Sequence, residues 1–255
     1  MMPRRRVILK EMGLTPLWRL RGRTASSPQK MEPVNAPVSY AHGPSTNTSR
    51  PAETNIADMP VINVQDMDWD TLEETIRTCT RCELYQRRHQ VVPGTGNRQA
   101  RWLFIGEGPG AEEDRLGEPF VGQAGKLLDQ MLLSLGLSRQ KNVYICNVVK
   151  CRPPMNRTPM ANEIHCCFPF LQRQIALVAP EVIVALGRPA AQALLGMEDV
   201  RINRVRGHQF RYQDIPVVVT YHPAYLLRNP ADKKKVWEDL CFARSVITQK
   251  QNSGT

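Results

Sequence analysis

The feature that most constrains the fold is the stretch 101–125, in which a short apolar run ends in a glycine-rich turn. The run is WLFI at 102–105, and the turn is GEGPG at 106–110. An apolar run of this length, bounded by a turn, is typical of a buried strand in a parallel sheet. Ligands of open α/β sheets bind beyond the carboxyl ends of the strands, where glycines let the backbone come close to them. The turn is therefore the first candidate for a binding site.

Apolar runs alternate with helical periodicity over the rest of the chain. Strands are predicted at 102–106, 143–149, 182–186 and 216–221, with helices at 69–85, 125–135, 162–178, 189–195 and 233–248. Residues 201–212 indicate a hairpin or an exposed strand. Strands that alternate with helices predict a parallel sheet covered on both faces. The predicted fold is α/β, a three-layer α/β/α sandwich around a central four-stranded parallel sheet, in a domain over residues 61–250.

The N-terminal part of the chain has a different character. Residues 24–60 are rich in Ser, Thr, Asn, Ala and Pro, which predicts a flexible linker. Residues 1–23 are basic, and the apolar residues within 3–23 favour a docking peptide, with a basic tail that touches DNA as the alternative. Through its arginines, its Met-Gly-Leu turn and its Trp-x-Leu-Arg ending, segment 3–23 resembles the N-terminal peptide of the psi subunit of the bacterial clamp loader. That resemblance implies a replisome partner.

The charge of the chain favours a polyanionic partner. The net charge is +10 at pH 7, which indicates nucleic acid before an anionic surface, with plain solubility as the alternative. No apolar run approaches the length of a membrane span, and no secretory signal is visible. We therefore expect no membrane association. We also predict a monomer and a cytoplasmic location near a bacterial nucleoid.

The cysteines indicate a metal site. An odd total, seven, in a chain without a visible secretory signal argues against a disulfide framework. Cys79 and Cys82 form one half-site, and Cys151 with Cys167 could supply the other. On spacing, four such thiolates would hold zinc or an iron–sulfur cluster equally well, and Cys166 makes the fourth ligand ambiguous. The residues interpreted as small buried apolar groups are Cys146, Cys166 and Cys241.

A basic loop follows the second predicted strand. Asn147 lies in the apolar part of that strand, where a buried amide must find partners. Its donor and acceptor suit the Watson–Crick edge of a base, and a structural hydrogen bond is the alternative. Two prolines stiffen the loop, which we predict to contact phosphates. Its basic residues are Lys150, Arg152 and Arg157.

A histidine follows the fourth predicted strand, in YHPAYLLR at 221–228. The carboxyl ends of parallel strands meet at one edge of a sheet, so we expect His222 beside the turn at 106–110. A lone histidine is more often structural. Its place at a strand end, next to an apolar pair and an arginine, favours a functional role.

Together, the motifs resemble those of a known family. GEGPGAEEDRLGEPFVGQAGKLLD, YICNVVKCRPPMNRTP and YHPAYLLR, with the Cys79-x-x-Cys82 pair, are similar to the family 4 uracil-DNA glycosylases, which are iron–sulfur members of their superfamily. The resemblance runs from about Cys79 to Arg244. It implies a base-excision repair enzyme that flips uracil out of DNA and hydrolyses its N-glycosidic bond, leaving an abasic site. The alternative is a non-catalytic iron–sulfur nucleic-acid-binding module, which would need only the basic loop.

The resemblance also implies roles for single residues. Phe120 corresponds to the aromatic residue that stacks on uracil, Asn147 to the amide that reads its edge, and His222 to the histidine that faces O2. The backbone of Glu107, Gly108 and Pro109 corresponds to the turn that shapes the pocket. The ligands of a structural 4Fe-4S cluster would be Cys79, Cys82, Cys151 and Cys167.

The group that positions water stays open at this point. Other members of the superfamily carry an aspartate where Gly108 stands in this chain. Glu107 is our first candidate for the catalytic carboxylate, and the other candidates are Glu112, Glu113, Asp114 and backbone groups. Because a base must leave the stack to react, we predict that Leu226 and Leu227 fill the gap in the duplex, with Arg228 on a phosphate.

Overall fold

A computed structural model describes residues 63–252, and the side chains of residues 63–249. Within that range the α-helices are α1 Trp69–Thr78, α2 Ala111–Leu116, α3 Gln123–Ser134, α4 Ala161–Val178, α5 Arg188–Leu195, α6 Ile202–Val205, α7 Pro223–Arg228 and α8 Lys233–Asn252. Short 3₁₀ helices lie at Glu83–Gln86, Pro154–Asn156 and Pro230–Asp232. The strands are β1 Thr95–Gly96, β2 Trp102–Gly106, β3 Val143–Asn147, β4 Val182–Leu186, β5 Gln209–Tyr212 and β6 Ile215–Thr220.

Two of our predictions fall outside this range. The docking segment 1–23 and the linker 24–60 lie outside the described residues, so the replisome partner stays a prediction. Of the helices within residues 63–252, none is long and apolar enough to cross a membrane.

The strands form one sheet in the order β1-β3-β2-β4-β6-β5. The four central strands are parallel, which confirms the predicted class and the predicted core of the sheet. The sheet also has an antiparallel strand at each edge. Of the segment 201–212, predicted as a hairpin or an exposed strand, only Gln209–Tyr212 is a strand, and it forms a hairpin with β6. Residues Ile202–Val205 form helix α6 instead. The two-residue strand β1 has no sequence signal.

Both faces of the sheet are covered, because nearly all residues of the central strands are apolar and buried. In β2, Leu103 and Ile105 belong to one core cluster, and Trp102 and Phe104 belong to the other. Helices α1, α4 and α5 pack on the first face, and α3, α7 and α8 pack on the second. Each fully buried large apolar side chain contributes about 1.5–3 kcal/mol relative to an exposed one. Burial of apolar side chains on both faces of the sheet therefore stabilises the three-layer arrangement that was predicted.

The first helix is shorter than predicted. Asp68 caps its N-terminus by accepting the N–H of Thr71 at 2.9 Å, but α1 ends at Thr78 rather than continuing to residue 85. Arg88 explains the early end, because its guanidinium donates to the carbonyls of Arg77 and Cys79 at 2.8 and 3.0 Å. The last carbonyls of a helix have no partner within the helix, so a helix end is stable where other groups donate to them. The Cys-x-x-Cys pair therefore lies in a loop.

The topology brings several candidate residues to one edge of the sheet. Gly106 at the end of β2 is paired in register with Asn147 at the end of β3. On the other side of β2, strands β4 and β6 end together, since the N–H of Gly187 donates to the carbonyl of Thr220 at 2.8 Å. His222 follows two residues after Thr220. The carboxyl edge of the sheet thus carries the turn at 106–110, Asn147 and His222.

Candidate active site and cysteine cleft

Phe120, Asn147 and His222 surround one position at the carboxyl edge. The rings of Phe120 and His222 are stacked, with centroids 5.4 Å apart and planes 29° apart. A Cβ atom built on Gly106 would lie 2.5 Å from Cζ of Phe120, and closer still to the side-chain oxygen of Asn147. Residue 106 must therefore lack a side chain, because the aromatic ring and the amide both pack against its backbone.

The side chain of Asn147 has an unused acceptor. Asn147 is 2% exposed, and its Oδ1 atom has no hydrogen-bond partner among the described residues. A buried polar atom left unpaired costs about 1–3 kcal/mol, so native structures keep few of them and each needs an explanation. A ligand that places an N–H at this point would supply the missing bond.

His222 is a neutral hydrogen-bond donor with a fixed direction. The ring is partly exposed, yet the protein around it desolvates the imidazolium and lowers the pKa of His222 to about 4. The charge of Arg228 acts in the same direction, and that of Glu113 opposes it. Nδ1 accepts the N–H of Ala224 at 3.1 Å and so caps α7. The single proton of the neutral ring is therefore assigned to Nε2.

The carboxyl group of Glu107, next to Gly106 in the chain, has a raised pKa. Glu107 directly follows β2, and its burial raises the pKa of its carboxyl group above the usual value. A hydrogen bond with Thr158 and the charge of Arg188 act in the opposite direction. These partners come from the loop after β3 and from the start of α5, so Glu107 lies where three strand ends meet.

The other acidic residues of the turn are already engaged. Glu112 forms a surface ion pair with Arg115, with 3.0 Å between Oε2 and Nη2. Both carboxylate oxygens of Glu113 accept backbone N–H groups. Asp114 is buried and accepts from the backbone and the ring of His89, at 2.9 and 2.7 Å. Of the acidic residues within 107–114, Glu107 is the one that adjoins Gly106, against which Phe120 and Asn147 pack.

The structure also explains why residue 108 is a glycine. A Cβ atom on Gly108 would lie 2.8 Å from Cγ2 of Val149 and 3.6 Å from Cδ of Pro153. The carbonyl of Glu107 accepts the N–H of Val149 at 3.2 Å, which holds the turn against the loop after β3. An aspartate at 108 would clash with Val149, so this turn excludes a carboxylate there.

The prediction that Lys150 contacts DNA is wrong. Lys150 is 1% exposed, and its ammonium group donates to the carbonyl of Asn147 and to Oε1 of Gln174, both at 2.6 Å. An ammonium group is buried only when such acceptors replace its water. Lys150 therefore supports the backbone of Asn147 from inside the fold instead of reaching a phosphate.

Leu226 is also misassigned, because it cannot reach the duplex. It is 1% exposed and belongs to the core cluster under α7, whereas Leu227 is 49% exposed. Arg228 next to it is exposed as well. Successive residues of a helix point about 100° apart, so α7 presents Leu227 and Arg228 outward while Leu226 packs inward.

The remaining predicted phosphate ligands lie on the loop after β3. Arg152 donates from Nε to Oδ1 of Asn156 at 2.7 Å, and Arg157 makes two hydrogen bonds to Glu163, at 2.6 and 2.8 Å. Sequence reasoning missed the tip of this loop, where Met155 is 95% exposed at a backbone φ of 53°. An apolar tip on a basic loop has no periodicity that would reveal it.

The predicted metal ligands lie around one cleft. It has about 300 Å³ of space between atoms, part of it open to solvent, and it is lined by Cys79, Cys82, Cys151, Cys166 and Cys167. Two sulfur atoms receive hydrogen bonds. Arg88 donates from Nη1 to Sγ of Cys151 at 3.1 Å, and the N–H of Lys150 donates to Sγ of Cys167 at 3.3 Å. Lys150 thus joins the cleft to the Asn147 backbone.

Two thiols of the cleft, those of Cys82 and Cys167, are hard to ionise without a positive partner. Burial raises the pKa of Cys82 and of Cys167 to about 12. Within the described residues, no three side chains of His, Cys, Asp or Glu are grouped closely enough to hold a single metal ion. The five sulfurs thus line a cavity and do not converge on one point.

Comparison with known proteins gives a consistent result. Residues 93–241 match the family model described as the uracil DNA glycosylase superfamily. The chain is 46% identical to a type-4 uracil-DNA glycosylase of Thermotoga maritima, over 70% of this chain and 94% of that protein. It is 44% identical to the type-4 enzyme of Archaeoglobus fulgidus, over 68% and 92%. A type-5 enzyme of Pyrobaculum aerophilum is 31% identical, over 60% and 74%.

Proposed function

The chain belongs to the uracil DNA glycosylase superfamily, among the family 4 enzymes, and we propose that Phe120, Asn147 and His222 hold the uracil that it removes from DNA. The observation that carries this proposal is the buried, unpaired Oδ1 atom of Asn147 beside the Phe120–His222 stack. Uracil presents N3–H as a donor and O4 as an acceptor, which match the two ends of a side-chain amide. A non-catalytic binding module would need neither this amide nor the histidine.

In the proposed reaction, the base leaves the stack and enters the pocket formed by these side chains. Cleavage of the N-glycosidic bond leaves its electron pair on uracil, so negative charge develops at N1 and O2 while the sugar becomes electron-poor. The Nε2–H group of His222 donates to O2 and stabilises that charge. A neutral donor held by the cap of α7 needs no reorganisation as the charge appears.

Glu107 completes the proposed hydrolysis. Its carboxylate accepts a proton from the water whose oxygen bonds to C1′ of the deoxyribose, and the uracil anion is later protonated from solvent. Burial that raises the pKa of Glu107 makes it a stronger base than an exposed glutamate. Because the protonated form cannot accept a proton, the rate is fully present above the raised pKa and falls as the pH drops through it.

We expect Glu107→Gln to lower the rate of uracil release by about 10²–10⁴-fold and to abolish the acid limb of the pH–rate profile. Single-turnover rates on a uracil-containing single-stranded oligonucleotide, measured from pH 4 to pH 8, test this. The matched control is Glu112→Gln, whose carboxylate sits in a surface ion pair. An acid limb that survives in Glu107→Gln would assign the base to another group.

We also propose that a 4Fe-4S cluster is bound in the cysteine cleft, through Cys79, Cys82, Cys151 and Cys167. The donor set fits such a group, because it consists of thiols that receive N–H hydrogen bonds at Cys151 and Cys167. The raised thiol pKa values mean that binding would displace protons from the cysteines. When bound, the cluster would link the loop after α1, the loop after β3 and helix α4.

Adjacent cysteines on α4 offer a matched test of the ligand set. We expect Cys167→Ser to lose most of its iron and visible absorption and to unfold at a lower temperature, and Cys166→Ser to keep both properties. Iron content, the visible spectrum and thermal unfolding of the two purified variants measure this. If Cys166→Ser lost its iron and Cys167→Ser kept it, Cys166 would be the ligand in place of Cys167. A colourless, zinc-containing protein that still releases uracil would contradict the proposed cluster but not the proposed glycosylase activity.

For contacts with duplex DNA we propose that Leu227 fills the gap left by the base, with Arg228 and Arg152 on phosphates. Leu227→Ala should slow uracil release from duplex DNA about 10-fold, because extrusion costs a few kcal/mol, and leave release from single strands unchanged. Leu226→Ala should instead destabilise the fold by about 2–5 kcal/mol. The two alanine variants, assayed on both substrates and by chemical denaturation, distinguish these roles. Equal effects of Leu227→Ala on both substrates would count against the wedge.

A further inference from the structure

The loop that carries Phe120 has an unfavourable backbone conformation at the point where the ring is attached. Phe120 has a φ of 56°, in the left-handed region that bulky residues rarely adopt. Such a conformation persists only where the surrounding structure over-determines it. The neighbouring contacts should therefore include groups that fix residues 119–122 in place.

Arg139 fixes the carbonyl side of this loop. Its Nη1 atom donates to the carbonyl of Pro119 at 2.7 Å, and its Nη2 atom donates to the carbonyl of Phe120. Nε donates to Oδ1 of Asp129 on α3, also at 2.7 Å, which orients the guanidinium. The planar group thus binds two successive carbonyls and a carboxylate at once, an arrangement that a lysine cannot reproduce.

Glu113 fixes the amide side of the same loop. Its Oε1 atom accepts the N–H groups of Val121 and Gly122, at 2.9 and 3.0 Å. Its Oε2 atom accepts the N–H of Gly110 at 3.1 Å, so Glu113 also ties the loop to the turn at 106–110. The backbone from 119 to 122 is therefore bound on its carbonyl side by a cation and on its amide side by an anion.

The loop is also pressed against α3. A Cβ atom built on Gly125 would overlap the carbonyl group of Phe120. This close approach lets the carbonyl of Phe120 lie on the first turn of the helix while Arg139 binds it. On its other side, the ring of Phe120 meets His222 and the Gly106 backbone.

We infer that Arg139 is a positioning residue for the base pocket, which acts by holding Phe120 in its left-handed conformation so that the ring is ready to stack on the base. Glu113 completes the clamp, by which we mean the side chains of Arg139 and Glu113. The inference rests on the proposed role of Phe120 in the pocket. It goes beyond that proposal because it assigns part of base recognition to an arginine that does not touch the base.

A double-mutant cycle tests the inference. In the wild-type background, Arg139→Gln should lower kcat/KM for uracil release from single strands, and weaken product inhibition by free uracil, each by about 10²-fold, the loss expected when a group in the site is misplaced by about 1 Å. In a Phe120→Ala background the same change should have an effect of less than about 2-fold, because there is no ring left to position. Guanidinium ions should restore part of the activity of Arg139→Ala.

The control variant is Arg101→Gln. Arg101 makes two hydrogen bonds to Glu181, at 2.7 and 2.8 Å, beside the amino end of β2 and far along the strand from the pocket. It should change thermal stability and leave kcat/KM and uracil inhibition as in wild type. Thermal unfolding of every variant checks that the fold is present. If Arg139→Gln does not fold, Arg139→Lys takes its place in the cycle with the same expected outcomes.

Equal losses from Arg139→Gln in both backgrounds would overturn the inference, and so would wild-type kinetics of the single variant. Full activity of Phe120→Ala would instead overturn the proposed base pocket, and the inference with it. The two failures are distinguishable, because failure of the proposed pocket is seen in the single variant Phe120→Ala, whereas failure of the inference alone is seen only in the variants of Arg139.

Discussion

Replacing His222 by alanine should lower the single-turnover rate of uracil release by about 10²–10³-fold, the loss typical of removing one donor to a developing oxyanion. The structure provides the reason, because Nδ1 of His222 is occupied by the N–H of Ala224 and Nε2 is left as the donor. Alkali cleavage of a uracil-containing oligonucleotide measures the rate. His208→Ala is the matched control, since His208 lies elsewhere and contacts the carbonyl of Arg206.

The pH dependence of this loss separates a neutral donor from a charged one. The pKa of His222 is lowered to about 4, so the ring carries a charge only below that pH and stays neutral as the pH rises through the physiological range. We expect His222→Ala to reduce the rate by the same factor at pH 6 and pH 8. A loss that is smaller at pH 8 than at pH 6 would mean that the histidine acts as a cation with an ordinary pKa.

Asn147→Asp should have the second large effect, because it changes which base the pocket matches. A buried aspartic acid has a raised pKa and tends to stay protonated. It then offers an acceptor to the N4 amino group of cytosine and a donor to N3. Against uracil, it leaves unpaired groups that cost about 1–3 kcal/mol each. We expect uracil release to fall by about 10²-fold or more and cytosine release to become detectable.

Oligonucleotides that differ only in carrying uracil or cytosine at one position measure this change. Asn156→Asp is the control, since Asn156 is exposed in the loop after β3 and interacts with Arg152. An unchanged uracil rate in Asn147→Asp would place the base away from Asn147.

Most of the fold could be predicted from the sequence, because the central strands are apolar on both faces and leave an unambiguous signal. The predicted first helix was too long, because its end depends on a contact with a residue further along the chain that the local sequence pattern does not show. Its last carbonyls are satisfied by Arg88, eleven residues after Arg77. Strand β1 was missed because two residues have no periodicity, and it exists only through its pairing with β3.

The candidate site was predictable where a residue follows directly from a strand end. Asn147 and His222 lie at the expected edge because parallel strands must end there together. The errors concern side-chain direction. Lys150 turns inward to Gln174, which is 24 residues away in the chain. Leu226 faces the core, although both Leu226 and Leu227 were predicted to enter the duplex. Arg139 was missed since its partners include carbonyls about twenty residues upstream, which leave no mark in the sequence.

The most direct test of the base pocket is the structure of this protein in complex with free uracil. The ring should stack on Phe120, with N3–H donating to Oδ1 of Asn147 and O2 accepting from Nε2 of His222. Uracil bound at another place, or with O2 turned away from His222, would contradict the proposed pocket.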